Sequence, residues 1–332
     1  MKPIINLILV LCININLFSQ ISFTNNDRQQ RIIRDMKVLS HDTLMGRKSA
    51  SKYEWKAGNY IINELNKLKS HQSNINFLPA YDTYRFAFTI KNYENNNKDT
   101  TADIIAYIDN NAPYTIIIGA HYDHVGYEIY DSTKGQYLIY NGADDNASGT
   151  VGLLELTRHL SNKFLTNYNY IICFWGSEEI GLYGSAYFCQ KILPNINVPP
   201  IILYINYDMI GSLGYKKNIL TIYGTATANN LKDIVPNYYD SVKINKLPTA
   251  FPFSDHTCFY ANNIPYLYFT TGLPKTYHTI KDEINLINFN GILFTIKLTE
   301  HILSQLNPQE LQFKKIKLHH YIHTGIALYF KS

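Results

Sequence analysis

Short runs of apolar, β-branched and aromatic residues punctuate the chain at 84–90, 102–108, 114–119, 168–174, 201–206 and 265–269. Each is bounded by polar residues or glycine and predicts a buried strand. Between many of them, residues 53–68, 148–160, 183–193, 226–235 and 286–306 repeat apolar positions every three to four residues and predict helices. Strands alternating with helices predict an α/β fold. Its central sheet should be mostly parallel with antiparallel edge strands and helices on both faces, a three-layer α/β/α arrangement in which the earliest strands form the antiparallel edge. In such sheets the loops leaving the carboxyl ends of the strands form the site. The Asn-rich stretch 92–101 reads as an exposed hairpin loop.

The first residues follow another pattern. Lys2 is followed by an apolar run from Ile4 to Phe18, which closes on Ser19 and Gln20. The run is shorter than the roughly 20 residues a membrane span needs and predicts a cleaved export signal over 1–20. The mature protein would then be secreted or periplasmic, with no membrane attachment. No repeat or Pro/Gly/Ser-rich linker divides the remainder, so 21–307 reads as one catalytic domain, with 308–332 an unassigned tail. After signal removal Cys173, Cys189 and Cys258 remain; the odd number leaves at least one thiol unpaired, and the three read as core residues rather than a disulfide framework. A net charge of +4 without a dense basic run excludes a nucleic-acid surface.

Candidate chemistry sits just past the strand ends. His121 and Asp123 follow one run in GAHYDHVG, and Glu178 and Glu179 follow another in WGSEEIGLYGS. Asp208 lies in YDMIG and His278 in TYHTIKD, while Asp144 and Asp145 open a helix in GADDNASG. Taken singly, each has an ordinary explanation: a hydrogen-bonded structural His, an N-cap Asp, a solvated acidic turn. Gathered where an apolar sheet ends, so many charges call for bound cations to neutralise them.

These motifs, together with LSHDTLMGR near the start and FSDHTCFY before the last, resemble in their order the co-catalytic zinc aminopeptidases of the bacterial leucine aminopeptidase type, relatives of glutamate carboxypeptidase and glutaminyl cyclase. The resemblance spans 39–306, although KSASKYEW replaces the usual glycine-rich segment after the first motif. It implies two Zn²⁺ ions per chain bridged by Asp145, with His278 and Glu179 completing one site and His121 and Asp208 the other. Asp144 is not a ligand in this scheme. Glu178 is the general base, and Asp123 and Asp282 orient the imidazoles of His121 and His278. Tyr277 is either a hydrogen-bond donor to the tetrahedral oxyanion or a packing aromatic. Ser254 is an N-cap or a substrate contact.

The implied charges balance, since two Zn²⁺ ions against Asp145, Glu179 and Asp208 leave room for one hydroxide, which would attack a peptide substrate. A serine hydrolase would need a GxSxG elbow, which is absent. Two further readings compete: a single-zinc glutaminyl cyclase, whose relatives carry Trp where Tyr277 stands, and a non-catalytic binding protein on the same fold. Only six arginines occur, so a multi-arginine clamp on a substrate carboxylate is poorly supplied. That favours removal of residues from the amino end of peptides, with Phe251, Phe253 and Phe259 as candidate walls of an apolar pocket.

Overall fold

A computed structural model describes residues 24–316, apart from 72–73, 92–96, 216 and 251. The predicted export signal and the tail from 317 onward lie outside the described residues. The chain first forms α1 (Asn25–Leu39), started by a capping box in which Thr24 and Asp27 satisfy each other's amides. Next come α2 (Lys52–Ser70), β1 (Ile75–Asn76), β2 (Arg85–Lys91), β3 (Lys98–Ile108) and β4 (Thr115–His121). A hairpin of β5 (Gly126–Asp131) and β6 (Gln136–Tyr140) precedes a π-helical turn, Ala143–Ser148, that runs into α3 (Gly149–Leu160). Beyond these lie β7 (Asn169–Trp175), α4 (Tyr183–Tyr187), β8 (Ile201–Tyr207), β9 (Ile219–Tyr223), α5 (Leu231–Ile234) and β10 (Tyr238–Tyr239). The chain then forms β11 (Val242–Lys246), α6 (His256–Ala261), β12 (Tyr266–Thr270) and α7 (Phe289–Gln305).

Ten strands form one sheet in the order β1-β3-β7-β4-β8-β12-β9-β11-β10, with β2 paired to β3. The four central strands β7, β4, β8 and β12 are parallel, and β1, β2 and β3 make the antiparallel edge expected of the earliest strands. Both sheet faces are covered, which is why the central strands read as unbroken apolar runs. Ile116 and Ile118 of β4 point into a core shared with α1, α2, α3 and α7, while Ile117 points into a second core with Trp175, Phe188 and Phe259. A period of two therefore serves two cores at once.

Several expectations need adjustment. The helix expected over 226–235 is confined to α5, because the Thr225 and Thr227 hydroxyls bond the carbonyls of Leu247 and Gly224 and Asn230 takes a left-handed conformation. Residues 98–101 belong to β3, so the polar hairpin loop is shorter than predicted, and 92–96 lie outside the described residues. Cys189 and Cys258 form a disulfide between the turn after α4 and the α6 helix, whereas Cys173 is free and buried. Of the tail, Leu311 is buried and Phe313 bridges to Ala228, so residues 308–316 pack on the domain. Among the described residues no helix is long and apolar enough to cross a membrane.

Candidate metal centre

The carboxyl ends of β4, β7, β8 and β12 and the loops that leave them bring four side chains around Asp145, which the turn before α3 supplies. Its two carboxylate oxygens face different partners. Oδ1 lies 3.4 Å from His121 Nε2, which is itself 3.5 Å from Asp208 Oδ1. Oδ2 lies 3.1 Å from His278 Nε2, which is 3.0 Å from Glu179 Oε2. His278 Nε2 has no hydrogen-bond partner despite these short separations, so the atoms are aimed at a shared point rather than at each other. Two ligands on one tetrahedral zinc stand about 3.3 Å apart, given Zn–N and Zn–O distances of about 2.0–2.2 Å. Both clusters match that spacing and offer the N/O donor sets that zinc accepts.

The backbone carrying these groups is held from beneath by buried acids. Four successive amides after β7 each reach a carboxylate: Gly176 to Asp103, Ser177 to Glu54, Glu178 and Glu179 to Asp123, at 2.8–3.3 Å. This turn places Glu178 Oε2 4.0 Å from His121 Nε2. Asp144 turns away from the centre to accept the Gly211 amide and the Ser212 hydroxyl. Asn146 Oδ1 accepts the Gly149 and Met209 amides, tying the turn before α3 to the end of β8. Ser177, Met209 and His278 have φ of +54°, +60° and +52°. Left-handed backbone costs a non-glycine residue about 1–2 kcal/mol, so strain is concentrated beside Glu178, beside Asp208 and at His278 itself.

Charge is unbalanced here. Burial opposes a proton on His121, yet Glu178, Asp123, Asp145 and Asp208 outweigh it and hold its pKa well above the ordinary value. His278 is pushed up to about 10 against its own burial by Asp145 and Glu179. Burial drives the Glu178 carboxyl well upward. Apart from Arg47, whose donors go to main-chain carbonyls, the polypeptide could supply positive charge here only by protonating its imidazoles, so the centre suits bound cations.

Residues 103–299 match Peptidase family M28. The chain belongs to peptidase family M28. Leucine aminopeptidase 2 of Trichophyton rubrum is 27% identical over 176 residues, covering 50% of this chain and 35% of that protein. Aminopeptidase Y of Saccharomyces cerevisiae is 27% identical over 219 residues, covering 60% of this chain and 38% of its own length. The chain thus spans little more than a third of the curated relatives it matches. Among solved structures, LapB from Legionella pneumophila superposes with a TM-score of 0.66 at 19% identity, covering 86% of this chain and 72% of that one. A zinc aminopeptidase from Bacillus subtilis gives 0.62 at 14%, over 86% and 98%. Bacteroides thetaiotaomicron glutaminyl cyclase gives 0.66 at 18%, over 84% and 98%. These likenesses establish a shared fold.

Within this M28 chain, all eight side chains predicted for the site fall in or against one centre: His121, Asp123, Asp145, Glu178, Glu179, Asp208, Tyr277 and His278. Tyr277 stacks on the His278 ring at 3.8 Å and is part exposed at the mouth. Asp123 lies 3.6 Å from His121 Nδ1. Asp282 differs from expectation. Its oxygens accept the amides of Asp144 and Asp145, so it holds the turn that carries Asp145 rather than the His278 imidazole. Phe259 is sealed in the second core against Tyr204 and Trp175 and cannot line a pocket, Phe253 is exposed, and Phe251 lies outside the described residues.

Sequence reasoning passes over His124 and over the support that Asp208 receives. His124, three residues after His121 in the same motif, is fully buried with Nδ1 2.7 Å from Glu179 Oε1. Ser254 is neither an N-cap nor exposed to substrate; its hydroxyl donates to Asp208 Oδ2 at 2.8 Å. Behind it runs a buried chain in which Trp175 donates to Tyr204, Tyr204 to Asn206, and Asn206 to Ser254. Gly119 makes room for this chain, since a Cβ there would stand 2.4 Å from Trp175 Nε1. The only signal in the sequence is the density of hydrogen-bonding residues in HYDH and FSDH.

Proposed function

We propose that this protein is a secreted or periplasmic zinc aminopeptidase that holds two metal ions and removes residues from the amino end of peptides. The observation that carries the reading is the division of Asp145, one oxygen toward His121 and Asp208 and the other toward His278 and Glu179. That division fits a carboxylate bridging two ions, and it weighs against a single-zinc cyclase. When bound, zinc supplies Lewis-acid polarisation of the scissile carbonyl and makes water acidic enough to deprotonate near neutral pH. Glu178 is not needed as a ligand and takes the proton from the attacking water, then delivers it to the departing amine. Tyr277, whose ring stacks on that of His278, is the donor to the oxyanion in this reading.

The choice of the amino end is supported by the arginines, all six of which are committed elsewhere. Arg28, Arg31, Arg34 and Arg158 pair with acids among the helices, Arg47 with main-chain carbonyls, and Arg85 with Trp55 and Asn59. None is left to clamp a substrate carboxylate. The Cys189–Cys258 disulfide suits an oxidising compartment, as export would provide.

A panel of aminoacyl chromogenic substrates, assayed with chelation and zinc add-back on wild type and Glu178→Gln, tests the reading. The variant should retain wild-type zinc content and lose turnover by at least about 100-fold, the scale of a lost general base. Near-normal turnover would remove Glu178 from the base role. A wild type active only on amino-blocked peptides would overturn the aminopeptidase assignment.

A further inference from the structure

The two end carboxylates of the centre are built alike. Asp208 offers Oδ1 toward His121 while its Oδ2 is taken by the Ser254 hydroxyl. Glu179 offers Oε2 toward His278 while its Oε1 is taken by His124 Nδ1 at 2.7 Å. We propose that His124 is a positioning residue for the metal site of Glu179: its Nδ1–H holds Oε1 and leaves a single Glu179 oxygen for the ion.

Distance separates this role from direct ligation. The imidazole and carboxylate atoms that share a metal point are 3.0–3.5 Å apart, near the ligand spacing of tetrahedral zinc. The 2.7 Å between His124 and Glu179 is that of a charge-assisted hydrogen bond, and His124 Nδ1 stands 4.0 Å from the bridging Asp145 Oδ2. A carboxylate has no proton to give, so Nδ1 carries it. His124 Nε2 is buried without a hydrogen-bond partner, so Glu179 is the group the ring answers to. The ring cannot swing away. Gly142, with φ of +56°, packs so closely that a Cβ there would lie 2.5 Å from His124 Cδ2, and the His278 ring stands edge-on at 5.5 Å. Freed of His124, Glu179 could rotate or chelate through both oxygens, and the fit of the site would loosen.

The inference rests on Glu179 being a metal ligand, and its test reads metal rather than turnover. Metal-free wild type, His124→Leu, His124→Asn and His124→Gln, all as full chains, are titrated with Zn²⁺ against a competing chelator and with Co²⁺ followed by its visible spectrum. His124→Leu should weaken one of the two sites by about 10–100-fold, the usual cost of losing such a partner, and leave the other within about threefold. His124→Asn, whose amide N–H falls near the place of Nδ1–H, should recover most of the loss; His124→Gln, which places its amide near Nε2, should not. Should the Leu variant fail to fold, the Asn and Gln pair decides. Equal affinities for Asn and Gln, an unchanged Leu variant, or equal weakening of both sites would overturn the role of His124. A wild type that takes up one ion would instead overturn the two-ion reading, and the same variants would still report on that ion.

Discussion

Arg47 is buried and serves no acid. Its Nε donates to the Tyr122 carbonyl, Nη1 to those of Leu39 and Asn141, and Nη2 to that of Gly142, all within 2.6–2.9 Å. One guanidinium thus ties the end of α1 to the segments that carry His121 and Asp145. Burial lowers its pKa to about 10, against the pull of Asp123 and Asp145, and it stays charged at neutral pH. Lysine offers three donors from one atom and cannot span four carbonyls set around a plane. Arg47→Lys should therefore cost about 2–4 kcal/mol, the effect of leaving one or two buried carbonyls unmet. Equilibrium urea unfolding measures it, and a loss below about 1 kcal/mol would mean that the carbonyls find other donors. The sequence displays Arg47 as the last residue of LSHDTLMGR but hides what it does, because its partners are main-chain atoms of three separate segments. The same holds for Ser254 and His124: a side chain's type is legible, whereas the oxygen it meets is set by folding. The five proposed ligands are legible for the opposite reason, since each stands in a loop leaving a strand or opening a helix, where position alone suggests a site.

At the scale of elements, α1 shows how a pattern reading fails. Its apolar buried positions Ile32, Met36 and Leu39 keep helical spacing, but Arg28 and Asp35 complete the buried stripe, so the apolar signal is short and periodicity passes over the element. The charged positions are buried because they meet partners from α2, α3 and α7. Arg28 and Arg31 reach Glu155, Arg28 also reaches Glu300, and Arg158 holds Asp35 and Glu64 at 2.6 and 2.8 Å. By contrast, β4, β7 and β8 are legible to within a residue or two because both faces are apolar and no charge breaks the run. Removing one member of a buried pair strands the other, which typically costs about 3–5 kcal/mol. Asp35→Ala should cost less, about 1–3 kcal/mol, because Arg158 keeps Glu64 at 2.8 Å and Glu155 at 3.5 Å. Arg158→Met added to it should cost less than the sum of the separate changes by at least about 1 kcal/mol, since the contact between the two is then lost only once. A double-mutant cycle by urea unfolding decides it, and strict additivity would show that the two are not coupled.

Across the whole molecule, the centre joins segments spread from His121 to His278, at points where no hydrogen bond links the opposed side chains among the described residues. An ion bound there is bound by the folded state alone, because the unfolded chain cannot assemble the donors, so metal occupancy appears as stability. At free zinc 100-fold above its dissociation constant each site adds about 2.7 kcal/mol. For a domain of this size that raises the melting temperature by roughly 4–5 °C per site. Scanning calorimetry of chelated and zinc-reconstituted protein should show that rise, and coincident melts would mean the clustered groups hold no ion. Glu178→Gln should rise as much as wild type, because Glu178 stands outside both proposed ligand sets. Asp145→Ala should forfeit much of the rise, because both clusters share its carboxylate. The pair of variants thereby separates the proposed base from the proposed bridge, by a measurement that needs no substrate.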